Sequence, residues 1–149
     1  MILDDLVSGV SLASGLAVAA ARKVEELVAW RLCMELNGVV AEVARTNPLA
    51  RNFALCAQMR KAAQAAPALI AEGFLRFTPE EFVRYLRMAR AELGEVQTHL
   101  EIARNEGLLS PEQVSRAATL AKRAMAVTTL LLKSKLPLLK PKRGSRQRL

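Results

Sequence analysis

Apolar residues recur at alternating steps of four and three along most of the chain, a rhythm that predicts amphipathic helices. The clearest run is Phe82, Leu86, Ala89, Leu93, Val96, Leu100 and Ala103, the seam of a long helix packed nearly parallel to its neighbours. Thr78-Pro79-Glu80-Glu81 marks its start: threonine at the N-cap, proline at the first helical position and glutamate three residues after the cap. The threonine oxygen can accept from the Glu81 amide while the glutamate reaches back to the cap amide. Gly107 is placed to end the helix as a left-handed residue. Ser110-Pro111-Glu112-Gln113 repeats the same start signal and opens a further helix that ends near Lys135, before Pro137.

Two helices precede these. Ala29, Cys33, Leu36, Val40 and Val43 form the seam of one over about residues 23–45, with Trp30 and Met34 beside it. Asn47-Pro48 signals a stop and a new start. The next helix, over about 48–74, carries Leu55, Met59, Ala62, Ala66 and Leu69 on one stripe. Pro67 lies inside it, where the missing amide and the ring's clash with the preceding turn predict a kink. The last helix is apolar on two neighbouring seams. Val114, Ala118, Ala121, Met125, Thr128 and Leu132 make one; Ala117, Leu120, Ala124, Val127 and Leu131 make the other. So wide an arc offers more surface than one bundle core takes, to be covered by the N-terminal arm or, the favoured reading, by another subunit.

The fold class that follows is all-α, an antiparallel up-and-down four-helix bundle over residues 23–136. Residues 1–22 are an N-terminal arm or extra helix, with Ile2, Leu6, Ala13, Leu16 and Ala20 on one face. Asp4 and Asp5 give this stretch the wrong charge for a signal peptide. Gly9, Ser11, Ser14 and Gly15 weaken it as a membrane span. Residues 137–149 read as a basic, unstructured tail. At 149 residues the chain suits one domain with a real core, and 52% hydrophobic with only 4% aromatic residues fits close helix packing rather than a sheet.

Cys33, Cys56 and the lone His99 cannot complete a zinc site, which usually takes four ligands. The cysteines read as small buried apolar residues in a reducing, cytoplasmic setting. Net charge is +8, from 22 bases and 14 acids. Residues 133–149 carry +7 of it through Lys133, Lys135, Lys140, Lys142, Arg143, Arg146 and Arg148, with no acid. The rest of the chain is nearly neutral.

One group of residues carries a family resemblance: Arg60-Lys61-Ala62-Ala63, Pro67, Ile70-Ala71-Glu72-Gly73-Phe74, Glu81-Phe82, Tyr85-Leu86, Ala89, and the stretch from Leu93 to Ala103. Val28-x-Trp30 with Met34-Glu35-Leu36 adds to it. The pattern resembles the bacterial four-helix-bundle family first noticed as proteins encoded in intervening sequences of large-subunit ribosomal RNA genes, over about residues 24–136. The resemblance implies an up-and-down bundle assembled as a homopentamer, without enzyme activity or cofactor. It also implies kinship with accessory proteins of diversity-generating retroelements, where a basic pentamer binds a reverse transcriptase and nucleic acid. The chain departs from the family pattern at Leu69, where the family has Asn, and at Ala91-Glu92, where it has Gly-Ser. Residues 1–22 have no counterpart.

The candidate site residues follow from charge. Arg84, Arg87 and Arg90 rise at three-residue steps, with Arg76 just before the cap, and together with Arg60 and Lys61 they can form a phosphate-facing patch. Glu80 and Glu81 precede Arg84 at four and three, so ordinary pairing along the helix is the competing reading. The seven bases of residues 133–149 can neutralise phosphates in a salt-dependent, sequence-tolerant way, against the plainer role of a solubilising end. They have no aromatic neighbour for base stacking. Glu72 lacks a titratable partner for acid–base catalysis and reads as an interior or interface hydrogen-bonding residue; His99 reads as a surface partner of Glu95. Two functions compete: an RNA- or DNA-binding accessory factor, and a scaffold docking a partner protein through the last helix and the N-terminal arm. An enzyme is a distant third, and neither sequence feature nor charge points to a membrane.

Overall fold

The computed structural model describes residues 21–76, 78–139 and 141. Most of the N-terminal arm, and Lys140, Lys142, Arg143, Arg146 and Arg148 of the tail, lie outside the described residues. Among those described are four α-helices and no strand: α1 (Val28–Val43), α2 (Phe53–Phe74), α3 (Pro79–Asn105) and α4 (Pro111–Lys135). Short 3-10 turns at Val24–Glu26, Leu49–Arg51 and Leu136–Leu138 flank them. Each helix packs on two others: α1 on α2 and α4, and α3 on α2 and α4. With short connections between them, this is the up-and-down bundle.

Side chains fix which helix ends meet. The rings of Phe74 and Phe82 meet edge to face at 6.1 Å, and Lys135 Nζ lies 5.9 Å from the Phe82 ring centroid. The finish of α2, the start of α3 and the finish of α4 therefore share one end, here the proximal end. At the distal end Gln113 Nε2 donates to Thr46 Oγ1 at 3.1 Å, and Arg116 Nη1 meets the Glu42 carboxylate at 3.1 Å.

The predicted seams are the core. Every residue of the α3 seam is buried, as are Ala29, Cys33, Leu36, Val40 and Val43 of α1. Leu69 of the α2 stripe is only partly buried. α2 runs unbroken through the buried Pro67. α4 packs on both α1 and α3, which buries Val114, Ala117, Leu120, Ala121, Ala124, Thr128, Leu131 and Leu132, while Ala118, Met125 and Val127 of the two seams are only partly buried.

The helix boundaries differ from the sequence reading where tertiary burial intervenes. α2 starts at Phe53 rather than Pro48, because Leu49 turns into the core at 0% exposure. Asn52 then caps the helix afresh, its Oδ1 accepting from the Leu55 amide at 3.1 Å. The Cys56 thiol donates to Leu49 O at 3.2 Å and holds this corner. α1 likewise begins at Val28, after a 3-10 turn.

Gly107 adopts φ 67° and closes α3 as expected. The Leu108 amide donates to Ala103 O at 2.9 Å and the Gly107 amide to Arg104 O at 3.0 Å, the paired bonds of a Schellman end. Ser110 and Gln113 make the reciprocal capping box. At Thr78 only half of it forms: Thr78 Oγ1 accepts from the Glu81 amide at 3.3 Å, but the Glu81 carboxylate accepts from the Thr78 hydroxyl rather than from the cap amide.

Candidate nucleic-acid interface

Gly73 determines how α2 and α3 meet. A Cβ there would lie 2.5 Å from Tyr85 Cβ and 3.0 Å from Phe82 Cδ2, so only a glycine lets the helices approach this closely. The approach brings Tyr85 within reach of Glu72, and the tyrosine hydroxyl donates to Glu72 Oε1 at 2.7 Å. Arg76 Nη2 donates to the same carboxylate oxygen at 2.7 Å and to Tyr85 Oη at 3.0 Å. Its guanidinium carbon stands 5.3 Å from the Tyr85 ring centroid, and Nη1 reaches Glu81 Oε1 at 3.7 Å.

This cluster ties the α2–α3 turn on its outer side. Glu72 is exposed in the single chain, which overturns the interior half of its expected interior-or-interface role. The Tyr85 hydroxyl, with Arg76 beside it, holds the Glu72 carboxyl below the usual range, while the bond to Glu72 pushes the Tyr85 phenol up. The Glu72 hydrogen bond likewise raises Arg76. Carboxylate, phenol and guanidinium are committed to one another. Leu69, the position where the resembled family carries Asn, packs partly against the core, and Glu72 draws its polar contacts from Arg76 and Tyr85.

The tie changes the electrostatics of α3. Spacing offers Glu81 to Arg84, yet the Glu81 carboxylate turns to Thr78 and Arg76. Arg84, Arg87 and Arg90 therefore form no ion pair among the described residues, whereas Arg76, Arg104 and Arg116 each do. Arg84 and Arg87 are exposed; Arg90 is half-buried, with Nε enclosed and lacking a hydrogen-bond partner. Lys133 is exposed near the end of α4, and Lys135 lies half-buried over Phe82.

Arg60 and Lys61 are exposed on α2 and belong to another flank. Burial, with the neighbouring Glu95 charge, pushes the Glu92 carboxyl up, and Lys61 across from it opposes the shift. At about 100° per residue, Glu92 and Tyr85 point from α3 towards α2, while Arg87 and Arg90 point the other way. Helical spacing thus sets Arg87 and Arg90 on the side of α3 away from Lys61, with Arg84 one turn before Arg87.

The remaining candidates fall into structural roles. His99 is half-buried with Nδ1 enclosed and unpartnered, and it makes no ion pair with Glu95 among the described residues. Cys33 and Cys56 are free and buried. Burial pushes the Cys33 thiol up to about 12, partly offset by the Thr128 hydroxyl beside it. Burial also raises Cys56, with Arg60 opposing. Among the described residues no group of three or more His, Cys, Asp and Glu could hold a metal ion, and no helix is long and apolar enough to cross a membrane.

Comparison with protein families matches residues 25–129 to the family described as 23S rRNA-intervening sequence protein. The chain belongs to that family. The matched part of this 23S rRNA-intervening sequence protein holds Arg60, Lys61, the Gly73 approach, Tyr85 and the arginines of α3, and it stops short of Lys133 and the tail. The N-terminal arm also falls outside it. No curated protein matches the chain. Of the working parts, the Glu72–Arg76–Tyr85 tie escaped the sequence reading; its signal was an arginine in the loop, a glycine about one turn earlier and a tyrosine nearly two turns into the next helix.

Proposed function

We propose that the protein binds RNA, by charge and shape, through the α3 arginines and the basic tail. The observation that carries this is that Arg84, Arg87 and Arg90 form no ion pair among the described residues, whereas Arg76, Arg104 and Arg116 each do. Unpaired guanidiniums spaced by one helical turn suit a row of phosphates. The chain leaves α4 at the proximal end, where α3 begins, and Lys140, Lys142, Arg143, Arg146 and Arg148 follow in the sequence. Family membership supports RNA as the polyanion. Assembly into a homopentamer, and service beside a reverse transcriptase, rest on the resemblance; a ring of copies would repeat the arginine row around its rim.

The test is a titration with a structured RNA across a salt series, comparing the full chain with one ending at Leu139. Leu139 is the truncation point because it still packs against the core. Each phosphate contact contributes about 0.7–0.9 to the slope of log affinity against log salt. Removing Lys140, Lys142, Arg143, Arg146 and Arg148 should therefore lower the slope by up to about 4. Replacing Arg84, Arg87 and Arg90 with Gln should lower it by about a further 2. A full chain that fails to bind at low salt overturns the proposal.

A further inference from the structure

We infer that the start of α2 holds an unpaired base of single-stranded RNA, stacked on Phe53, with the flanking phosphates on Arg51 and Arg60. The inference rests on RNA as the ligand proposed above, but it assigns a second contact surface, built from residues that the α3 row and the tail leave unused. Phe53 is 81% exposed, the most exposed of the large apolar side chains among the described residues. It takes no part in the core, whereas Trp30, Phe74 and Phe82 pack in or against it and Tyr85 is held by Glu72 and Arg76. A single exposed apolar residue is ordinary; what sets Phe53 apart is its surroundings.

Residues 43–71 contain Arg45, Arg51, Arg60 and Lys61 and no Asp or Glu, so the chain on either side of the ring has no carboxylate of its own. Arg51 and Arg60 make no ion pair and no side-chain hydrogen bond among the described residues. Lys61 faces Glu92 of α3 instead. At this same distal end Glu42 and Glu101 are paired with Arg116 and Arg104. Helical geometry then sets the spacing. Residues 53 and 60 share one face of α2, two turns and about 10 Å apart. Helical side chains lean towards the N-terminus, which carries the Arg60 guanidinium back over Ala57 towards the ring. Ala54 and Ala57 are exposed and small, leaving the surface between them open. On the other side, Arg51 and the ring line one shallow depression, and Pro48 and Leu108 give it an apolar edge.

Cation, ring and cation therefore follow one another along the entry to α2. A single strand answers all three, with a base face on the ring and a phosphate on each guanidinium. A duplex keeps its bases stacked inside and has no such face to offer. An apolar partner surface would cover the ring but leave both guanidiniums unanswered.

The test titrates the full chain at low salt with a uridine strand about 12 nucleotides long, a blunt RNA duplex and inorganic polyphosphate. Phe53→Ala should weaken the uridine strand about fivefold or more, the loss of one stacked base, and leave duplex and polyphosphate binding unchanged. Phe53→Tyr should bind like the parent. Arg51→Gln and Arg60→Gln should each lower the salt slope for the strand by about 0.7, and Phe53→Ala should not move it. If the parent binds the duplex while Phe53→Ala holds the strand as tightly as the parent does, this inference falls and the RNA reading stands. If the parent binds neither RNA, both fall. An equal loss on polyphosphate, or a change in assembly mass by light scattering on Phe53→Ala, also overturns it, the latter by giving the ring to a contact between copies.

Discussion

Gly73→Ala should destabilise the fold even though alanine is the better helix former. The substituted methyl would meet Tyr85 Cβ at 2.5 Å, and a Cβ cannot swing away by changing rotamer. The strain can be relieved only by moving α3 off α2, which belongs at the upper end of the ~1–3 kcal/mol typical of overpacking. Alanine returns up to about 1 kcal/mol of helix propensity, leaving a net loss of about 2 kcal/mol. Gly38 and Gly94 are the controls. Each lies inside a helix with nothing within 4 Å of a built Cβ, so Gly38→Ala and Gly94→Ala should stabilise by about 0.5–1 kcal/mol. Urea unfolding followed by helical circular dichroism reads all three, and the midpoints should move in opposite directions with unchanged slopes. Tyr85→Ala should not rescue Gly73→Ala, because it leaves the offending Cβ in place. A Gly73→Ala protein as stable as its parent would refute the close approach, and rescue by Tyr85→Ala would assign the clash to the ring instead.

Thr128 is buried at 0% exposure and its Oγ1 makes no hydrogen bond of ordinary geometry, so Thr128→Val should stabilise by about 1 kcal/mol; an equal loss in urea unfolding would mean that the contact with the Cys33 thiol matters more. The Glu72 carboxyl, held low by Tyr85 and Arg76, contributes stability above the ordinary carboxylate range and loses it as pH falls through the depressed value. The stability gap between the parent and Glu72→Gln should therefore be open at neutral pH and shrink in acid, and a gap that widens there would refute the assignment. Arg76→Met should weaken RNA binding and lower its salt slope by about one to two phosphate equivalents. Adding Glu81→Gln should restore about one of them.

The seams of α1 and α3 were legible because each is set by its own helical period, and the ends at Gly107 and Ser110 because their caps use neighbouring residues. Each failure involves a competitor distant in space or outside the local pattern. Burial of Leu49 moved the start of α2, although its sequence offered a good cap earlier. Glu72 sits among apolar residues in sequence, yet points to a tyrosine thirteen residues on that only the close approach at Gly73 could deliver. The arginine row was visible as spacing, but its charge state was not. Spacing paired Arg84 with Glu80 and Glu81, and could not register that Arg76 in the connecting turn would take Glu81.

That last displacement links the fold to the proposed function. The Gly73 approach places Tyr85, which with Glu72 anchors Arg76, and Arg76 in turn engages Glu81. One consequence is a braced turn; the other is an α3 surface whose first arginine makes no ion pair among the described residues. If Arg76 acted only by its own contact with RNA, removing Glu81 as well would restore no more binding than Glu81→Gln gives alone. If it acts by holding Glu81, the two substitutions are coupled, because each matters only through the other's effect on Arg84. A double-mutant cycle on RNA affinity at low salt therefore measures the link directly. A coupling near zero separates the turn from the binding surface, and a positive one makes the helix crossing part of the recognition.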